Sequence, residues 1–224
     1  DIDDTVPIIT GFIAKTKNLL FSLCLIGLLI SPVFAKSAAD YLDEGIDLLE
    51  EEWYYLAIDS FLNAIEKNAY YGDAYRWLGE AYYTLEDYNL SLENGLSALS
   101  YSHNDVDAML LVANSYRELE DYDSAEDYYN EIEEDFPSES GVYRNLGLLY
   151  LDMNRYDDAL EMLEKAQRFE PESGDVYVAL GDYYTATGDM DEAEEMYQTA
   201  FNTDPRERAY FIELAEFYYQ DQSF

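Results

Sequence analysis

Few residues in this chain are of types that could carry out catalysis. The sole histidine, His103, sits between Ser102 and Asn104, with no second histidine or nearby cysteine to complete a metal or nucleophile set. It reads as a turn residue. The single cysteine, Cys24, lies inside the apolar run LLFSLCLIGLLI. Carboxylates number 49 against 12 lysines and arginines, and that abundance removes their value as a sign of acid–base work. The densest acidic run, Glu118 to Glu139 with EIEEDF at 131–136, offers oxygen ligands but lacks the spaced aspartates and glycine of a calcium loop. It reads as a solvated helix face. No Gly-rich phosphate loop is present. No cofactor, no metal and no enzymatic activity are therefore expected. Two kinds of recognition chemistry remain. Arg76, Arg117 and Arg144 could each pair with a carboxylate, and the 24 tyrosines could build an aromatic-lined site that stacks on a sugar.

The bulk properties narrow the partners. A formal net charge of −37 repels nucleic acid, whose binding needs basic groups to release phosphate counterions, and it repels an anionic membrane surface likewise. Cationic proteins, divalent cations or a saline medium are compatible with it. After residue 35 lysine occurs only at Lys36, Lys67 and Lys165, a poverty in keeping with saline surroundings. With 49% hydrophobic and 16% aromatic residues the chain can build a core.

The elements that must position these residues come from an internal repeat. Within 174–205, Tyr177, Leu180, Gly181, Tyr184, Ala193, Tyr197, Ala200 and Pro205 are spaced as aromatic-x2-Leu-Gly-x2-Tyr, then Ala-x3-aromatic-x2-Ala, then Pro. One period back the same places hold Tyr143, Leu146, Gly147, Tyr150, Ala159, Leu163, Ala166 and Pro171. Two periods back they hold Met109, Val112, Ala113, Tyr116, Ala125, Tyr129, Ile132 and Pro137. Residues three and four apart share a helix face. Small residues at Gly181, Ala193 and Ala200 then let helix backbones approach, and the tyrosines fill the space beside them. Proline ends each second helix.

This pattern resembles the tetratricopeptide repeat, a helix–turn–helix unit of about 34 residues. The resemblance implies an all-α fold: a right-handed α-solenoid of antiparallel helix pairs over residues 36–224. Its units are 38–71, 72–105, 106–139, 140–173 and 174–207, followed by a sixth first helix in 208–224. The first unit departs at Glu44 and Ala69, as a terminal unit does. The second has Ser91 and Gly95 where alanine and an aromatic are usual, so its second helix is expected to be the least well packed. Most tyrosines fall at repeat-defining places, Tyr41, Tyr75, Tyr143 and Tyr177 at one, Tyr82, Tyr116, Tyr150, Tyr184 and Tyr218 at another and Tyr54, Tyr88, Tyr122 and Tyr156 at a third, and are core by this reading. Tyr83 and Tyr219 are not, and are candidates for contact.

In proteins of this family the first helices line a concave groove that holds a partner's peptide or helix. The resemblance places in that groove Leu42, Ile46 and Leu49; Arg76, Glu80 and Tyr83; Leu110, Asn114 and Arg117; Arg144, Leu148 and Leu151; Val178, Asp182 and Thr185; and Ile212, Glu216 and Tyr219. Such a groove is apolar at its N-terminal end and carries arginines in its middle. Arg76, Asn114 and Arg144 suit three places of the family's carboxylate clamp, but Glu80 and Leu148 occupy the other two, and Glu80 would repel a carboxylate.

Upstream of the repeats, Lys15 and Lys17 precede the apolar core at about residues 19–30, and Val33 and Ala35 supply the small residues of a cleavage site before Lys36. Residues 1–35 thus read as upstream residues and a signal peptide; the apolar run is short of the roughly 20 residues of a spanning helix, and no integral membrane span is expected after cleavage. Together these features lead to the expectation of an exported, non-enzymatic protein-interaction scaffold, bacterial and periplasmic or extracellular, binding a protein or peptide. The alternatives are a structural element that self-associates into a homo-oligomer through an exposed Leu42, Ile46 and Leu49 face, or the repeat part of a longer, truncated protein.

Overall fold

The structure, a computed structural model, describes residues 36–221, with side-chain surroundings up to Tyr219. The signal-peptide reading lies on residues 1–35, outside the described residues. Among the described residues from Ala38 onward every element is a helix. In chain order these are α1 (Ala38–Glu50), α2 (Tyr54–Lys67), α3 (Gly72–Thr84), α4 (Tyr88–Tyr101), α5 (Val106–Glu118), α6 (Tyr122–Asp135), α7 (Gly141–Asp152), α8 (Tyr156–Phe169), α9 (Gly174–Thr187), α10 (Met190–Thr203) and α11 (Arg208–Asp221). Odd-numbered helices are the first of each pair and even-numbered helices the second. Second helices begin at residues 54, 88, 122, 156 and 190, always 34 apart.

The turn inside each pair is built the same way five times. Glu52, Glu86, Glu120, Asn154 and Gly188 adopt positive φ, at 63°, 62°, 60°, 57° and 87°. The left-handed residue lets the next N–H fold back onto the first helix. Trp53 N donates to Leu48 O at 2.8 Å, Asp121 N to Tyr116 O at 2.9 Å and Arg155 N to Tyr150 O at 2.7 Å. Asp87 and Asp121 then cap second helices with their carboxylates, accepting from Leu90 N at 3.3 Å and Ser124 N at 3.4 Å. Between pairs, the leading tyrosine of a first helix ties down the preceding turn. Tyr143 Oη donates to Pro137 O, and Tyr177 Oη to Pro171 O, both at 2.9 Å.

Packing follows the small residues of the repeat. Ala57, Ala125, Ala159 and Ala193 are fully buried, and a Cβ on Gly147 would lie 2.6 Å from Leu163 Cγ. A side chain there would force Leu163 of α8 to shift. First helices pack on the first helices of neighbouring units (α1 on α3, α3 on α5, α5 on α7, α7 on α9 and α9 on α11), whereas among the described residues no second helix packs on another second helix. The first helices are therefore the inner layer of a curved solenoid, and their free face is concave.

Two expectations need correction. The second helix of the second unit, α4, is closely packed. Ser91 and Ala98 are buried, Gly95 lets Val112 approach to where a Cβ would meet its Cγ2 at 2.8 Å, and the Ser91 and Ser115 hydroxyls share a hydrogen bond of 2.8 Å. Small residues bring α4 against α5 instead of holding it off. The absence of any buried side chain larger than serine on α4 has another effect, because the apolar core divides there. One cluster joins Leu42, Phe61 and Leu78, a second runs from Met109 to Tyr183, and a third, further along the chain, gathers Ala193, Tyr197 and Phe217. The second correction concerns Leu42, which is only 7% exposed and belongs to the core cluster containing Ala74, Leu78 and Ala81 of α3, with Ile46 and Leu49 packed against it. These three form no exposed apolar face, because they pack into the core that α1 shares with α2 and α3. The first unit's exposed large apolar residues are Trp53, Tyr55, Leu56 and Leu62, at the start of and along α2, and Tyr70 in the turn after it.

Candidate functional site

The concave face is polar at its centre. Four successive first helices surround a cavity of about 330 Å3. Tyr83 reaches it from α3, Asn114 and Arg117 from α5, Arg144, Asn145 and Leu148 from α7, and Asp175, Val178, Ala179 and Asp182 from α9. The sequence pattern places seven of these in a groove; Asn145, Asp175 and Ala179 fall outside it. Asn145 and Ala179 occupy equivalent places one residue beyond Arg144 and Val178, so the inner face is one residue wider per turn than the triplets suppose. The other expected groove residues lie elsewhere on the inner layer. Arg76 and Glu80 sit on α3 away from the cavity, and Leu110 and Leu151 are partly buried against the core. Ile212 and Tyr219 are exposed on α11, and Tyr219 is 82% exposed. Thr185 and Glu216 line a second cavity.

The arginines of the inner face are already matched to this chain's own acids. Arg144 pairs with Asp175 at 2.9 Å. Arg117 pairs with Glu118 at 2.6 Å and Asp152 at 3.5 Å. Arg76 lies 3.8 Å from both Asp105 and Asp107 and stacks on the Trp77 ring at 4.7 Å. The Tyr83 hydroxyl donates to Glu118 Oε1 at 3.2 Å, and burial, then the Glu118 charge, push its pKa well up. It remains a neutral donor. Burial also raises Glu80, against the pull of Arg76, and raises Asp152, against the pull of Arg117.

A hydrogen-bonded network joins the groove to the core. Tyr129, fully buried on α6, donates its hydroxyl to Asn114 Oδ1 at 2.5 Å, and the same oxygen accepts from Asn145 Nδ2 at 3.1 Å. Two units on, Tyr197 of α10 donates to Asp182 Oδ1 at 2.7 Å. These are the same pair of repeat positions. Where the fourth unit has Leu148 in the groove position it has Leu163 behind it, and where the first has Ile46 it has Phe61. In these four units a polar groove residue is thus backed by tyrosine and an apolar one by leucine or phenylalanine, whereas in the second unit Glu80 has Gly95 behind it; sequence reading passed over this correlation although it lies within the chain itself.

The second cavity, about 270 Å3, lies between α9 and α11 and is lined by Asp182, Thr185, Ala186, Tyr197, Glu213, Glu216 and Phe217. Burial raises Asp182 against the effect of its bond from Tyr197, and burial followed by the Asp182 and Glu216 charges raises Glu213. Among the described residues no group of three histidine, cysteine or carboxylate side chains is placed to hold a metal ion, and no helix is long and apolar enough to cross a membrane.

Fold and inner face define a helix-pair solenoid of the kind that serves as a scaffold for protein–protein interaction. Family models for the tetratricopeptide repeat match residues 107–138 and 150–220. Over those residues the chain is built of tetratricopeptide repeats. No curated protein matches it. Among solved structures, it is similar to TTC0263, a thermophilic TPR protein of Thermus thermophilus, with a TM-score of 0.74 at 21% identity over 81% of this chain and 98% of that one. It is also similar to YrrB, described as a TPR protein with an unusual peptide-binding site, with a TM-score of 0.54 at 19% identity over 78% and 90%. Human IFIT1, solved as a dimer with m7Gppp-AAAA, gives a TM-score of 0.72 at 19% identity over 95% of this chain and 54% of its own. At these identities the likeness is one of fold.

Proposed function

We propose that this protein is an exported scaffold that holds a peptide or helix of a partner protein along its concave face, in a bacterial envelope assembly. The observation that carries the reading is the cavity shared by α3, α5, α7 and α9, which presents the Tyr83 hydroxyl, asparagine amides and the apolar Leu148 and Val178 to one ligand. Amide and hydroxyl groups suit a peptide backbone, and the apolar walls suit its side chains. The neighbour described as having a peptide-binding site has the same fold. Export rests on the leader-like composition of residues 15–35, and the acidic surface disfavours the nucleic acid held by one neighbour.

The test is an affinity capture from bacterial envelope extract with the full chain, comparing wild type, Tyr83→Ala/Arg144→Ala in the groove, and Tyr55→Ala on α2. Partners lost from the groove variant and kept by Tyr55→Ala are the expected result. Identical partners for all three proteins would sink the groove reading.

A further inference from the structure

The partner's charge can be read from what the groove leaves unmatched. Each inner-face arginine named above is engaged by at least one carboxylate of this chain, so an acidic ligand would have to displace an ion pair to gain one. The cavity between α9 and α11 is the opposite case. Asp182, Glu213 and Glu216 converge on it from two helices, and no arginine or lysine lines it. Asp182 receives a hydrogen bond from Tyr197, a neutral donor that leaves the charge of the cavity unbalanced.

The same cavity has aromatic walls. The Tyr197 and Phe217 rings, 5% and 8% exposed, stand with centroids 5.4 Å apart. Rings beside carboxylates suit an organic cation, whose methylenes lie on the apolar wall while its charged head meets the ring faces and carboxylates. A bare metal ion suits the place less well, since it needs oxygens closing to about 2.3–2.6 Å around one point, and no such group of three is present among the described residues. Asp182 lines both cavities, so a chain lying along the central groove leads directly into this one.

We propose that the cavity between α9 and α11 is the pocket for a lysine or arginine side chain of the partner peptide, with Asp182, Glu213 and Glu216 as charge partners and Tyr197 and Phe217 as its walls. This rests on the groove reading above and adds the partner's chemistry to it: a basic segment.

Binding of fluorescein-labelled dodecapeptides to the full chain, followed by fluorescence anisotropy at about 0.15 M salt, tests the assignment. The probes are alternating lysine–alanine, glutamine–alanine and glutamate–alanine peptides. The lysine peptide is expected to bind at least tenfold more tightly than the other two. Glu213→Gln/Glu216→Gln should weaken it about tenfold, with Glu216→Gln alone, at an exposed position, giving a smaller loss in the same direction. Glu131→Gln/Glu134→Gln, which removes the same formal charge from the exposed face of α6, should leave binding unchanged. Equal losses in the two double variants would mean that net charge alone attracts the peptide, and would overturn the pocket. If Glu213→Gln/Glu216→Gln binds like wild type while Tyr83→Ala weakens binding, the groove holds peptides and the basic pocket is refuted. If no variant alters binding of any probe, the groove reading falls with it. Spermidine competing as tightly as the lysine peptide would assign the cavity to a free polyamine and refute the peptide assignment.

Discussion

Removing one hydroxyl at each end of the same repeat relationship should cost different amounts, because the two acceptors differ in charge. Tyr129→Phe deletes a bond to the neutral Asn114 Oδ1, which keeps a second donor in Asn145. Tyr197→Phe deletes a bond to the carboxylate of Asp182. Hydrogen bonds between neutral groups contribute about 0.5–1.5 kcal/mol and those to charged groups about 1.5–3 kcal/mol. Tyr129→Phe should therefore destabilise by about 1 kcal/mol and Tyr197→Phe by about 2 kcal/mol at pH 7. The second loss should also depend on pH. The hydroxyl favours the charged form of Asp182, so without it the carboxyl, already raised by burial, rises further. Once acid has protonated Asp182 in both proteins the bond is between neutral groups, and the two substitutions should converge near about 1 kcal/mol. Urea unfolding at pH 7 and about pH 4 measures this, with unchanged slopes confirming that the same transition is compared. Hydrogen exchange in α9 and α10 shows whether the loss is confined to the C-terminal units. A Tyr197→Phe cost that equals that of Tyr129→Phe at neutral pH, or does not shrink in acid, refutes the reasoning.

Two further outcomes follow from the turns and the charge. Glu52, Glu86 and Glu120 hold left-handed backbone that costs an L-residue roughly 1 kcal/mol; changing each to glycine should raise stability by a few tenths to about 1 kcal/mol, and Asn154→Gly by less, since asparagine tolerates this region. Thermal melts check it, and three glycine variants no more stable than wild type would refute it. Glu80, Asp152, Asp182 and Glu213 are all raised in the folded state, so their contribution is present below the ordinary values of 4.5 for glutamate and 3.8 for aspartate and is lost as pH rises through the raised values. The melting temperature should rise as pH falls from 7 toward about 5 and as salt screens the net charge; a melting temperature that falls in both series would contradict it.

The helix pairs were legible because their determinants are local and recur: Tyr177, Gly181, Ala193 and Ala200 need only one another at the right spacing. The turns were less so. Glycine marks the left-handed residue at Gly188 alone, while glutamate holds the same backbone at Glu52, Glu86 and Glu120, where the flanking helices impose a conformation that residue type does not advertise. Groove positions counted from the leading aromatic brought Asn114, Arg117, Arg144 and Asp182 to one cavity. The count could not say which of them were free. The ion pairs of Arg117 and Arg144 are made with Asp152 and Asp175, one unit further along, and depend on how successive units stack. Leu42 was misplaced for the same reason, since it is buried in a core that takes in α3 of the next unit as well as α2. Tyr197 and Phe217 were set aside or passed over as packing residues, yet each has a ring on the cavity wall as well as in the core.

The five identical turns bear on how such a chain can change length. Excising 34 residues between equivalent turns would rejoin the first helix of one unit to the second helix of the next with the remaining left-handed residues still in phase. Groove length and the sequence of side chains along it are therefore adjustable by whole units while the joints stay the same.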